Sequence, residues 1–140
     1  MRGGDRARDA AGRPVPAGSP DAVEPPSEQA LPPAETLALA RDLIAGKRSF
    51  FAHDVLEARW KAAPADERDL WQGLAQLCVG LTHLQRGNRV GGVRLLRRGA
   101  GRLAGYAGPT YGVDVAHVTQ QALTRADEVE AGHAGGIINL

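Results

Sequence analysis

Residues 69–86 read DLWQGLAQLCVGLTHLQR, and the spacing of the leucines in that stretch decides the fold. Leu70, Leu74, Leu77, Leu81 and Leu84 recur at alternating steps of four and three, so on an α-helix they form one unbroken apolar stripe. Asp66 is placed to cap this helix, which is predicted to run to about Arg86. Gly73 and Gly80 lie beside the stripe. Glycine inside a helix costs roughly 1 kcal/mol relative to alanine, which makes sense where another helix backbone approaches closely. The charge-free run Leu70 to Gln85 is shorter than the roughly 20 residues of a spanning helix, and Gln72, Gln76, Thr82 and His83 interrupt it. It reads as the central helix of a bundle.

Downstream, Gly87-Asn88 combines a C-terminal glycine with an N-cap, predicting a tight antiparallel hairpin into a fourth helix that ends near Ala104. Its inward face is Val93, Leu96, Ala100 and Leu103, and its outward face Arg94, Arg98 and Arg102. Tyr106, Pro109 and Tyr111 occupy a loop placed to close over the bundle end. Asp114 then caps a fifth helix, with Val115, Val118, Ala122, Ala126 and Val129 on one side. Upstream, Pro64 ends a second helix for which Ser49 is the expected cap. Phe50, His53, Leu56, Glu57 and Trp60 share one of its faces, and Phe51, Val55 and Ala58 supply another apolar side. A first helix, about Ala34 to Ala45, aligns Leu37, Ala40, Leu43 and Ile44 and stops at Gly46. No segment shows strand alternation. The predicted fold is all-α, a compact bundle of about five helices.

The predicted organisation is a helical domain over 34–131 flanked by two tails. Residues 1–33 are rich in Pro, Ala, Gly and Arg with almost no large apolar side chain, so their burial cannot offset ordering entropy and they read as a disordered tail. Residues 132–140 end in Ile137-Ile138-Asn139-Leu140 beyond a glycine pair and either dock on the bundle or fray. A chain of 140 residues fits one domain. Seventeen basic and sixteen acidic side chains leave a formal charge of +1, which supplies no strong field toward nucleic acid or an anionic membrane. A single cysteine, Cys78, set among apolar neighbours, makes no internal disulfide and suits a reducing compartment. The N-terminus has no apolar run of the kind a secretory signal needs. The expectation is a cytoplasmic protein with no membrane partner.

One polar cluster stands out. His53 and Glu57, four residues apart, stack on a helix face shared with Leu56 and Trp60, and a carboxylate there needs a specific partner. On the central helix Gln72, Gln76 and His83 line a strip roughly opposite the leucines. It carries amides and an imidazole where a solvated strip normally carries Lys or Glu. If these two helices pack antiparallel, the sets meet.

The run Phe50-Phe51-Ala52-His53-Asp54-Val55-Leu56-Glu57 with Trp60, then Gln72-Gly73-Leu74 with Gln76, His83, Gly87-Asn88 and Leu95-Leu96, resembles the family catalogued as domain of unknown function 309. The resemblance covers about Leu37 to Val129. It implies a compact helical fold and no assigned activity. One departure is Asp54, where glutamate is common in that family.

Three readings of His53, Glu57, Gln72, Gln76 and His83 stay open. In the first they are a buried polar network that sets helix register, or they hold a small ligand. In the second His53, Glu57 and His83 bind a divalent metal in a hydrolase or oxidoreductase, because two imidazoles and a carboxylate from two helices suit such a site. The spacing is not the metalloprotease signature. In the third, desolvation raises the Glu57 pKa for acid and base chemistry beside an apolar pocket.

Arg86, Arg89, Arg94, Arg97, Arg98 and Arg102 follow one another without an intervening acid, and Arg94, Arg98 and Arg102 are the candidate anion-binding face. The ordinary reading is a solvated outer surface. No aromatic stacking platform or nucleic-acid motif accompanies it, which disfavours nucleic acid as a partner. Association of two copies through an apolar helix face is the remaining partner expectation. Trp60 and Trp71 read as core anchors and Cys78 as an inert thiol. No nucleophile elbow, phosphate-cradling glycine loop or paired-cysteine spacing is present.

Overall fold

In the computed structural model the leucine stripe forms the middle of the molecule, and Leu70, Leu74, Leu77 and Leu81 are all buried. The structure describes residues 7–8, 11–15, 30–134 and 136–140. Five helices follow one another: α1 Pro33–Ala45, α2 Ser49–Ala62, α3 Arg68–Gln85, α4 Arg89–Ala104 and α5 Val115–Glu130. Each packs chiefly on its neighbours in sequence, with the α3–α4 contact the most extensive. None of the described helices is long and apolar enough to cross a membrane.

Several caps form as their chemistry dictates. The Asn88 side chain accepts from the Gly91 amide at 3.0 Å, Gly87 has φ +81°, and the Asp114 carboxylate accepts from the His117 amide at 3.1 Å. Two expected caps do not form. Ser49 lies inside α2 and is buried, because Lys47, at φ +58°, turns the chain one residue earlier and leaves Arg48 as N-cap. Asp66 belongs to a 3₁₀ turn, Ala65–Glu67, that Pro64 initiates ahead of α3, and it makes no cap hydrogen bond.

The glycines of α3 meet glycines of α4 in two antiparallel pairs. A Cβ on Gly73 would lie 2.7 Å from Leu103 Cγ and 3.4 Å from the Gly99 carbonyl oxygen, and one on Gly99 would lie 3.0 Å from the Gly73 carbonyl oxygen. Gly80 faces Leu96 and Gly92 in the same manner. Backbone contact at both crossings sets the helix separation.

The C-terminal residues dock. Ile138 is buried, Asn139 exchanges two hydrogen bonds with the Gln121 side chain, and Arg41 donates to the Leu140 carbonyl, so this segment ties α5 back to α1. At the other end of the chain, residues 1–6, 9–10 and 16–29 of the expected tail lie outside the described residues. Two two-residue strands, β1 Ala7–Arg8 and β2 Pro14–Val15, pair antiparallel. Beside them the Ala11 carbonyl accepts from Arg86 Nε.

Cys78 is buried within α3, and burial pushes its thiol up to about 12. The native protein is therefore expected to resist a thiol reagent at neutral pH on the timescale of minutes and to react fully in denaturant. Rapid native labelling would show a local opening of α3 that this packing does not provide for.

Candidate functional site

Residues of the polar cluster occupy separate places. On α2, His53 Nε2 sits 2.8 Å from Glu57 Oε2, and Lys61 Nζ sits 2.9 Å from Glu57 Oε1, one helical turn further on. His53 Nδ1 lies 3.4 Å from Asp54 Oδ1, near enough for attraction but without hydrogen-bond geometry, so this nitrogen is buried without a hydrogen-bond partner. The Phe50 ring flanks the imidazole at 6.0 Å between centroids. The result is a charged ladder along a half-buried helix edge: His53 is 21 % exposed and Glu57 34 %.

The two central groups shift each other in opposite directions. Burial pushes the His53 imidazole down, but the Asp54 and Glu57 carboxylates together outweigh it and hold the pKa above its ordinary value. Glu57 is held below the ordinary carboxylate value, first by the hydrogen bond from Lys61, against partial burial, and then by the His53 charge. At near-neutral pH the pair is thus biased toward imidazolium and carboxylate.

The α3 strip turns elsewhere. Gln76 Oε1 accepts from Arg102 Nε at 3.3 Å, and Arg102 also bridges to Asp69 Oδ1 at 3.0 Å, so Gln76 belongs to the α3–α4 seam. His83 Nδ1 is 3.1 Å from Asn88 Nδ2 in the turn between α3 and α4. Gln72 is half-buried on the same strip. No hydrogen bond or ion pair among the described residues joins the α2 set to the α3 set. Among the described residues no three His, Cys, Asp or Glu side chains are arranged to hold a metal ion, so His53, Glu57 and His83 are not brought together as ligands.

The arginines of α4 are partly spent within the fold. Arg97 pairs with Asp127 at 3.0 Å and Glu130 at 2.9 Å on α5, and Arg102 pairs with Asp69. Of the expected anion face, Arg94 and Arg98 remain exposed while Arg102 has a carboxylate of its own. Sequence reading missed this because the acids lie about thirty residues away, on other helices.

It also missed Glu67. This buried carboxylate accepts from Trp71 Nε1 at 3.2 Å and from the Tyr111 hydroxyl at 2.7 Å, while the Trp71 and Tyr111 rings stack at 5.8 Å. Tyr111 has φ +50°, and Glu67 clamps that strained turn onto the start of α3. The i to i+4 spacing of Glu67 and Trp71 was the available signal. The tyrosine was not.

A cavity of about 560 Å³ opens elsewhere, where the α1–α2 link, the ends of α3 and α5 and the start of α4 come together. None of the five cluster residues lines it.

Residues 37–95 match the model of the family described as domain of unknown function (DUF309), a span that contains all five cluster residues and ends at Leu95 within α4. The remainder of α4, and α5, lie beyond the match. No curated protein and no solved structure shows a significant match to the chain.

Proposed function

We propose that the chain, whose residues 37–95 match the DUF309 model, is a non-catalytic helical binding module in which the α2 ladder is structural. One observation carries this reading: both carboxylate oxygens of Glu57 are engaged, by His53 and by Lys61. A general base needs a basic carboxylate, and the cations held on the two oxygens of Glu57 lower its basicity. A cavity that can hold a partner molecule lies away from this ladder and opens among basic side chains.

The test is the stability of His53→Gln against the parent chain as a function of pH. His53 has a raised pKa, so its stabilisation is complete below the ordinary histidine value of 6.5 and fades as pH climbs through the folded value. Glu57 has a lowered pKa, so its share is complete above the ordinary value of 4.5 and fades as pH drops through the folded value. The parent chain should exceed His53→Gln by about 0.5 kcal/mol, the scale of a partly exposed pair, between those two pH values, and the excess should vanish in mild alkali. Glu57→Gln should lose a similar amount. If instead neither variant changes stability, and tag-free protein holds one equivalent of metal that His53→Ala loses, the structural reading fails.

A further inference from the structure

We propose that the cavity at the α1–α2 link is a binding site for a small monocarboxylate with an apolar body. Its wall is apolar, formed by Leu81 and Leu84 of α3, Val129 of α5 and Ile137 of the docked C-terminal segment. Its polar lining includes Lys47, Arg89 and His133, with no Asp or Glu. Four cations elsewhere have carboxylate partners, Lys61 with Glu57, Arg97 with Asp127 and Glu130, Arg102 with Asp69, and Arg125 with Glu128, whereas no acid lines this cavity. Arg89 instead donates Nη2 to the Val129 carbonyl at 2.7 Å, which aims the guanidinium while leaving its charge unneutralised.

Two further features belong to the same place. Lys47 holds a left-handed backbone, φ +58°, that a non-glycine residue adopts only where its surroundings enforce it. The C-terminal turn of α1 sets that backbone, with the Arg48 amide donating to the Leu43 carbonyl at 2.7 Å, and Gln85 Nε2 of the cavity lining donates to the Lys47 carbonyl at 2.6 Å. The other end of that amide, Gln85 Oε1, is buried without a hydrogen-bond partner. A buried acceptor left open costs stability and invites a donor, such as a hydroxyl or amide N–H on the occupant.

The cavity volume lies in the range of small-molecule sites. Apolar walls select a hydrocarbon or ring, and cations with no acid in the same lining select an anion. A carboxylate takes two donors from Arg89 or one each from Arg89 and Lys47. The site uses neither His53 nor Glu57, so it stands or falls apart from the α2 ladder.

The probes are decanoate, decan-1-ol and inorganic phosphate, titrated into the full chain and followed by amide chemical shifts. Decanoate is expected to move Leu81, Leu84, Val129 and Ile137 together and to saturate. Decan-1-ol and phosphate are expected to bind at least about tenfold more weakly, the scale of one lost charged hydrogen bond. Lys47→Gly removes the cation while suiting the left-handed backbone, and Arg89→Gln removes the other. Each, with an unchanged native spectrum, should weaken decanoate about tenfold. Should Arg89→Gln fail to fold, Lys47→Gly and His133→Gln decide the matter. Equal affinity for decan-1-ol and decanoate would overturn the proposal, as would phosphate binding as tightly as decanoate. Shifts scattered over the surface without saturation, or cation variants that bind decanoate as the parent does, would overturn it too.

Discussion

Gly99→Ala should destabilise the chain by about 2 kcal/mol, whereas Gly101→Ala, two residues along the same helix, should stabilise it by about 0.5–1 kcal/mol. Both glycines sit inside α4 and both substitutions improve helix propensity. At Gly101 nothing lies within 4 Å of the new methyl group. At Gly99 it would sit 2.6 Å from Leu77 Cδ2 and 3.0 Å from the Gly73 carbonyl oxygen. Leu77 can change rotamer, but the carbonyl belongs to the α3 backbone, and relief requires the two helices to move apart along their length. Urea denaturation of the two variants measures the contrast. Gly99→Ala as stable as the parent would mean that the α3–α4 crossing is looser than these distances describe.

Trp71→Ala should cost more, about 3–5 kcal/mol. Trp71 is completely buried and is among the largest side chains of the core. Its loss opens a void beneath the α4–α5 loop, removes the ring that stacks on Tyr111, and deprives the buried Glu67 carboxylate of its indole donor. Trp71→Phe keeps most of the packing and loses the donor, so it should fall between alanine and the parent, at about 1–2 kcal/mol. Trp60, half-buried on α2, remains as a fluorescent reporter in both variants. A Trp71→Ala loss below 1 kcal/mol would mean that Glu67 and Tyr111 hold the loop without it.

The candidate site was legible in fragments. The pairing of His53 with Glu57 followed from their spacing, because a helix brings residues four apart into contact whatever surrounds them. Joining them to Gln72, Gln76 and His83 required the relative rotation of α2 and α3, and an amide strip on α3 carries no information about which neighbour it meets. That neighbour proved to be Arg102 of α4 for Gln76 and the Asn88 turn for His83. The pairing of Arg97 and Arg102 was not legible for a related reason. Whether a helix cation is free depends on acids such as Asp69, Asp127 and Glu130, which reach it only when other helices are in place.

What the sequence by itself determined is the set of helices, their buried faces and the glycine-based α3–α4 approach. Periodicity, caps such as Asn88 and Asp114, and breakers such as Pro64 and Gly87 act within a few residues of chain. Only the tertiary structure decided the Glu67–Trp71–Tyr111 clamp, the docking of Ile138 and the cavity beside Lys47 and Arg89. Each of these joins residues more than thirty positions apart. Their meeting depends on helix rotation and separation, quantities set by how whole faces pack and not by any local pattern.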